Sequence, residues 1–318
     1  MKPLIQLPRR LSRAKTVGIC SPSGAFSDTD FKNSLFESGV KRIKSLGFEV
    51  RESLHCRSSW FHMSSSAKDR AADLHSLVDD PFVDIVLPSI GGHVAAQMLP
   101  YLDFDALAAS GCAICGFSDN SIIPLILSSL TGAVSLHSLC DVTFGFGRFA
   151  EGGYDVTETG WLNVVRNGLF DLAGTRAWRS IQPGNAEGIM LGGNLRALLT
   201  LAGTRWWPDW NGKILFWEAG DPLHAIQQDL TQLANCGVFE KIQGMVIGRT
   251  SKLNENFYRL DQIAPLEIFL LDILNLRGRF PILADADIGH DVENVTIPLG
   301  MPARLTLSDE SIEWSVVQ

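Results

Sequence analysis

Along the first half of the chain, short solid apolar runs alternate with stretches of helical spacing. Val17 to Cys20 reads as a buried strand, followed by a Ser-Pro-Ser-Gly turn. Asp28 or Thr29 can then cap a helix with Phe31, Leu35, Val40, Ile43 and Leu46 on its apolar face, and Gly47 stops it. The same rhythm predicts strands at Phe48–Arg51, Val83–Pro88, Cys112–Cys115 and Val134–Leu136, with helices at Lys68–Val78, His93–Tyr101 and Asp119–Leu130.

Strands alternating with helices imply a parallel sheet covered on both faces, so residues 1–165 are expected to form a Rossmann- or flavodoxin-like α/β domain. Such sheets bind ligands beyond the carboxyl ends of their strands, where Ser89-Ile90-Gly91-Gly92 and Gly116-Phe117-Ser118 fall. Glycine and aromatic residues accumulate from Thr143 to Tyr154 and loop-like sequence recurs at Trp178–Glu187, which places a domain boundary between about 145 and 185. Beyond it, a helix at Gly193–Leu201, a strand at Lys213–Glu218, a helix at Leu223–Asn235, a strand at Gly244–Ile247 and β-like pieces near 282, 295, 304 and 313 predict a smaller β-rich domain over 180–318.

Composition narrows the function. A net charge of −8 argues against a surface built to hold a phosphate backbone, so nucleic acid is not an expected partner. The basic segment at the start has no apolar stretch after it and no apolar run is long enough to span a bilayer, so the expected place is the cytoplasm, away from the membrane. Six scattered cysteines in a 318-residue chain fit reduced thiols. Cys112 and Cys115 form a C-x-x-C inside an expected strand, with no second pair at zinc spacing, so neither a metal nor a cofactor is expected.

The most informative local pattern is Cys115-Gly116-Phe117-Ser118-Asp119-Asn120, a strand running into a Gly-x-Ser turn that opens a helix. A serine on such a turn is lifted clear of the sheet as a nucleophile; the plainer role for Ser118 is a helix cap. A nucleophilic serine needs a base and a group to orient it. Among seven histidines, His93, His137 and His290 stand at strand ends or beside glycine, and spacing does not choose among them. Glu218 ends the run Ile214–Trp217, while Asp285 and Asp287 lie near His290 as rival orienters. The chain order Ser, carboxylate, His also matches an α/β-hydrolase esterase, although Asn120 stands where that pattern has its second glycine.

The stretch GGHVAAQMLPYLDFDALAASGCAICGFSDNSIIPLIL resembles the serine peptidase family of LD-carboxypeptidase A and the microcin C self-immunity peptidase. ICSPSG, EGIMLGGNLRALLTLAGT before KILFWE, and DIGHDVENVTIPLG agree with it, so the likeness runs from about residue 15 to 305. It implies Ser118 as nucleophile, Glu218 and His290 as its partners, and an oxyanion hole from the Asp119 N–H with that of Gly91 or Gly92. It further implies a homodimer acting on murein L,D-peptides or on aminoacyl-nucleotide conjugates, with His93, Trp178 and Trp217 as candidate substrate contacts. Ala219 and Val94-Ala95-Ala96 depart from the family's usual residues. A binding protein with an idle triad is the non-enzyme alternative.

Overall fold

Strands and helices alternate as the apolar pattern expects in the computed structural model, which describes residues 7–11, 14–146, 155–173, 177–250, 263–290, 292–308 and 310–317. The basic segment through residue 6, most of the glycine-aromatic stretch (147–154) and Asp291 lie outside them. The strands are β1 (Thr16–Cys20), β2 (Glu49–Glu52), β3 (Ile85–Pro88), β4 (Ala113–Gly116), β5 (Ser135–His137), β6 (Arg179–Gln182), β7 (Gly184–Asn194), β8 (Lys213–Glu218), β9 (Gly244–Gly248), β10 (Ile282–Ala286), β11 (Ile297–Leu299), β12 (Pro302–Leu307) and β13 (Ile312–Val316). The helices used below are α1 (Asp30–Ser45), α2 (Ala67–Asp79), α3 (Phe104–Ser110), α4 (Ile122–Thr131), α5 (Asp141–Phe146), α6 (Asp155–Asn167), α7 (Leu195–Leu199) and α8 (Leu223–Asn235). Two compact units emerge: residues 1–170 with 296–300, and residues 171–295 with 301–318.

In the first unit six strands are ordered β11-β5-β4-β3-β1-β2, parallel except for β11. β1 lies between β3 and β2 and every residue of it is buried, which is why it reads as a solid apolar run. The polar β2 (EVRE) is the sheet edge. Thr29 caps α1 by accepting from the Lys32 N–H at 3.2 Å. The buried face of that helix is Leu35, Phe36, Gly39, Val40 and Ile43, whereas Phe31 is 63% exposed and meets Phe146 edge-on at 6.3 Å. Glycines set this rotation. A Cβ on Gly39 would strike the Asp141 backbone, and one on Gly145 the Leu35 carbonyl, so α1 and α5 touch backbone to backbone. β11 joins this sheet antiparallel to β5, with Ile297 opposite His137, and Ser138 and Thr296 share a hydroxyl contact at 3.1 Å.

The second unit is a seven-stranded mixed sheet ordered β13-β12-β7-β8-β9-β10-β6. Its centre, β7-β8-β9-β10, is parallel, and β6, β12 and β13 are antiparallel to their neighbours. Trp178, just before edge strand β6, packs against Trp314 of the other edge strand β13 with centroids 6.2 Å apart, so the sheet curls until its edges meet.

Candidate active site

β4 delivers Ser118 on a sharp turn. Its φ is 55°, a left-handed conformation that costs a non-glycine residue about 1–3 kcal/mol and persists where surrounding structure enforces it. The enforcement is visible at Gly116, where a Cβ would meet the Asn120 carbonyl at 2.5 Å and the Pro124 ring at 2.7 Å. Asn120, the departure from Gly-x-Ser-x-Gly, donates from Nδ2 to the Ile90 carbonyl at 2.8 Å and so ties the elbow to the loop after β3. In place of the single helix expected from Asp119, residues Ser118–Ser121 form a 3₁₀ turn before α4 begins.

The loops after β1, β3 and β4 form one hydrogen-bonded block. Gly91 lies against the serine: a Cβ there would come to 2.9 Å from Ser118 Oγ and 3.0 Å from its Cβ. Asp119 turns its carboxylate inward, one oxygen accepting from Ser23 Oγ at 2.5 Å and from the Ala95 N–H at 2.8 Å. Ser23 Oγ accepts from the Val94 N–H at 3.1 Å, and the Gly24 N–H donates to the Gly91 carbonyl at 3.1 Å. Arg70 of α2, 1% exposed, donates to the Pro22 carbonyl, to the Val94 carbonyl at 3.1 Å and to Gln97 Oε1 at 2.7 Å. Burial lowers its pKa and the charge of Asp119 opposes that shift. The paired glycines are thereby gripped from both flanks. Beyond them a 3₁₀ stretch, Ala95–Tyr101, replaces the expected α-helix and holds Pro100, which cannot donate within a helix.

Glu218, Asn194 and His290 meet in the second unit. Glu218 ends β8 and its side chain is fully buried, beside the end of β7, where Asn194 caps α7. Asn194 Oδ1 accepts from the Ala197 N–H at 3.0 Å, which leaves Nδ2 to donate to Glu218 Oε1 at 3.0 Å. Glu218 Oε2 lies 2.7 Å from His290 Nδ1. A carboxylate held as acceptor assigns the ring proton to Nδ1 and leaves Nε2 as the basic nitrogen. Close approach again needs glycine: a Cβ on Gly220 would meet His290 Cγ at 3.2 Å, and one on Gly248 would meet Glu218 Cβ at 3.0 Å. Asn294 braces the histidine loop, accepting from the Gly289 N–H and donating to the Gly289 carbonyl, both at 2.8 Å.

The rival orienters are engaged elsewhere, Asp287 with Arg249 and Asp285 with Arg179, each at 3.1 Å. His93 is exposed on the loop after Gly92, and His137 is fully buried against the Phe117 ring at 5.5 Å. Trp178 is half-buried and lines a cavity with Trp314, Ile312 and Glu313. Trp217, the other aromatic candidate, belongs to the core of the second unit. It is fully buried in β8 with its indole N–H directed at Met245 Sδ at 3.3 Å, because a central strand covered on both faces buries successive residues alike. Burial pushes the Cys112 thiol up to about 12 and Cys115 well above its ordinary value, so the C-x-x-C is core. Among the described residues no group of three or more His, Cys, Asp or Glu could hold a metal ion, and no helix is long and apolar enough to cross a membrane. Sequence reasoning passed over Asn194, Ser23 and Arg70. Asn194 carried a signal, since it follows two glycines and opens a helix; a lone arginine in an amphipathic helix carries none.

The chain matches the family model of the LD-carboxypeptidase N-terminal domain over residues 17–138 and that of the C-terminal domain over 187–305. Microcin C7 self-immunity protein MccF of Escherichia coli is 25% identical, covering 98% of this chain and 95% of its own length. A probable murein peptide carboxypeptidase of Bacillus subtilis is 24% identical over 96% of this chain and 92% of its own. The crystal structure of an MccF-like protein from Bacillus anthracis superposes with a TM-score of 0.82 at 26% identity, covering 96% of this chain and 97% of that one. With both halves matched in order, the chain belongs to the LD-carboxypeptidase family and is a serine-type carboxypeptidase.

Proposed function

We propose that the protein hydrolyses the amide at the C-terminal end of its substrate through an acyl-enzyme formed on Ser118. His290 Nε2 takes the proton of Ser118 Oγ as the oxygen attacks the carbonyl, then returns it to the leaving amine; water reverses the sequence and frees the enzyme. Glu218 keeps the ring in the Nδ1–H form and stabilises the imidazolium. The Asp119 N–H, with that of Gly91 or Gly92, receives the oxyanion. The observation that carries this reading is the Asn194–Glu218–His290 chain, whose donor and acceptor order sets the base.

Two substrate classes are carried over from the relatives, murein tetrapeptides and aminoacyl sulfamoyl nucleosides. The test is mass-spectrometric release of D-alanine from a murein tetrapeptide, beside turnover of an aminoacyl sulfamoyl adenosine, by the parent and by Ser118→Ala. The parent is expected to release product and the variant to lose on the order of 10⁶ in kcat. Equal release by both removes Ser118 as nucleophile, and turnover of neither substrate sinks both classes. We place the enzyme in the cytoplasm, where its free cysteines stay reduced. We also propose a homodimer, from the family likeness, to be checked by sedimentation.

A further inference from the structure

One carboxylate oxygen joins the three loops that meet beside Ser118. Asp119 stands on the elbow after β4, Ala95 closes the loop after β3, and Ser23 lies on the loop after β1, strands that are neighbours in the sheet in that order. Asp119 Oδ2 accepts from the Ala95 N–H at 2.8 Å and from Ser23 Oγ at 2.5 Å. Ser23 Oγ in turn accepts from the Val94 N–H at 3.1 Å, so its proton is committed to Asp119 and a lone pair to Val94.

An acidic residue at a helix start ordinarily caps its own first turn or stays in water. Asp119 is instead 7% exposed, and its two donors lie 24 and 96 positions away on other loops. A buried carboxylate is costly unless donors and an opposite charge offset it. The opposite charge is Arg70, 1% exposed, whose own charge state Asp119 favours and which donates to the Val94 carbonyl at 3.1 Å. The Val94–Ala95 peptide is therefore held at both ends, its N–H by Asp119 and its carbonyl by Arg70. Gly92 lies two residues before it, packed so closely that a Cβ would strike Ser23 Oγ and the Gly24 nitrogen. Releasing the carboxylate thus frees the elbow and the paired-glycine loop together.

We propose that the Asp119 carboxylate, through Ser23 and the Ala95 N–H, is a positioning group that fixes the two oxyanion donors relative to each other and so acts on the chemical step rather than on substrate binding. The proposal rests on the serine-hydrolase reading above and adds to it the part played by this side chain. Its test measures turnover of a murein tetrapeptide and of an aminoacyl sulfamoyl adenosine by the parent, Asp119→Ala, Asp119→Asn and Ser23→Ala. Calorimetry in a Ser118→Ala background measures binding of the same two ligands with and without Asp119→Ala. That substitution is expected to lower kcat about 100-fold, the scale of one lost oxyanion donor, with KM and affinity within about threefold of the parent's. Asp119→Asn keeps an oxygen able to accept both bonds and is expected to return to within about tenfold of the parent. Ser23→Ala removes only the middle link and is expected to lower kcat about tenfold, which decides the matter should Asp119→Ala not fold. A parent-like kcat in Asp119→Ala or in Ser23→Ala, a raised KM with kcat unchanged, or an asparagine variant as slow as the alanine one overturns the proposal. An active parent with an equally active Asp119→Ala sinks this inference alone, whereas a parent that turns over neither substrate sinks the catalytic reading and this inference with it.

Discussion

At the residue scale, the position of Ser118, the proposed nucleophile, depends on atoms that are not there. Gly91 leaves room for Ser118, and Gly91→Ala places a methyl group 2.9 Å from Ser118 Oγ. Turning the hydroxyl aside relieves the contact with Oγ but not that with Ser118 Cβ, 3.0 Å away, so the two loops also part by a few tenths of an ångström as the oxygen changes rotamer. The expected result is a fall in kcat/KM of about 10–100-fold with only a small drop in thermal midpoint. Steady-state kinetics beside a melting curve checks it, and full activity would remove Gly91 from the site. Of the site, Ser118 was legible in Gly-x-Ser because strand, turn and helix start are contiguous. His290 was not separable from His93 and His137 by spacing, nor Glu218 from Asp285 and Asp287. What distinguishes them is a hydrogen bond between residues 72 positions apart.

At the element scale, the α1–α5 crossing buries a carboxyl group. Asp141 is 0% exposed and, among the described residues, neither side-chain oxygen has a hydrogen-bond partner. Burial raises its pKa well above 3.8, with Glu52 and Glu37 adding to the rise and Arg57 opposing it. Above about pH 4 the unfolded chain therefore holds fewer protons than the folded one, and stability falls as pH climbs from there toward the folded pKa. Asp141→Asn removes that dependence and is expected to stabilise the protein by on the order of 1–3 kcal/mol at neutral pH, and by less at pH 4. Urea unfolding at both pH values measures it; an equal difference at the two would refute the account. Phe31 shows the limit of periodicity at this scale. Its spacing fits the apolar face of α1, but Gly39 and Gly145 let the helices close at a rotation that buries Phe36 instead.

Across the whole molecule, burial sorts the thiols. Cys20, Cys56, Cys112, Cys115 and Cys140 are buried and Cys236 is half-exposed. Burial pushes the Cys56 thiol up to about 12, and Cys20 and Cys140 also rise. Iodoacetamide at pH 8 is therefore expected to modify Cys236 first and the others only in denaturant. Peptide mapping that finds Cys112 or Cys115 labelled early in native protein would return the C-x-x-C to consideration as reactive. The two-unit division is also a property at this scale. Residues 296–300 belong with the first sheet because Ile297–Leu299 pairs with Ser135–His137, a connection between segments some 160 positions apart.

The sequence by itself determined the parallel βαβ order and the Gly-x-Ser elbow, because each is encoded within a few residues by hydrophobic period and turn chemistry. The family resemblance rests on contiguous motifs of the same kind. Only the tertiary structure decided which carboxylate meets His290, that Asn194 and Arg70 brace the loops, that Trp217 is core, and where β11 returns. Those depend on which distant residues pack together, and no local pattern records that.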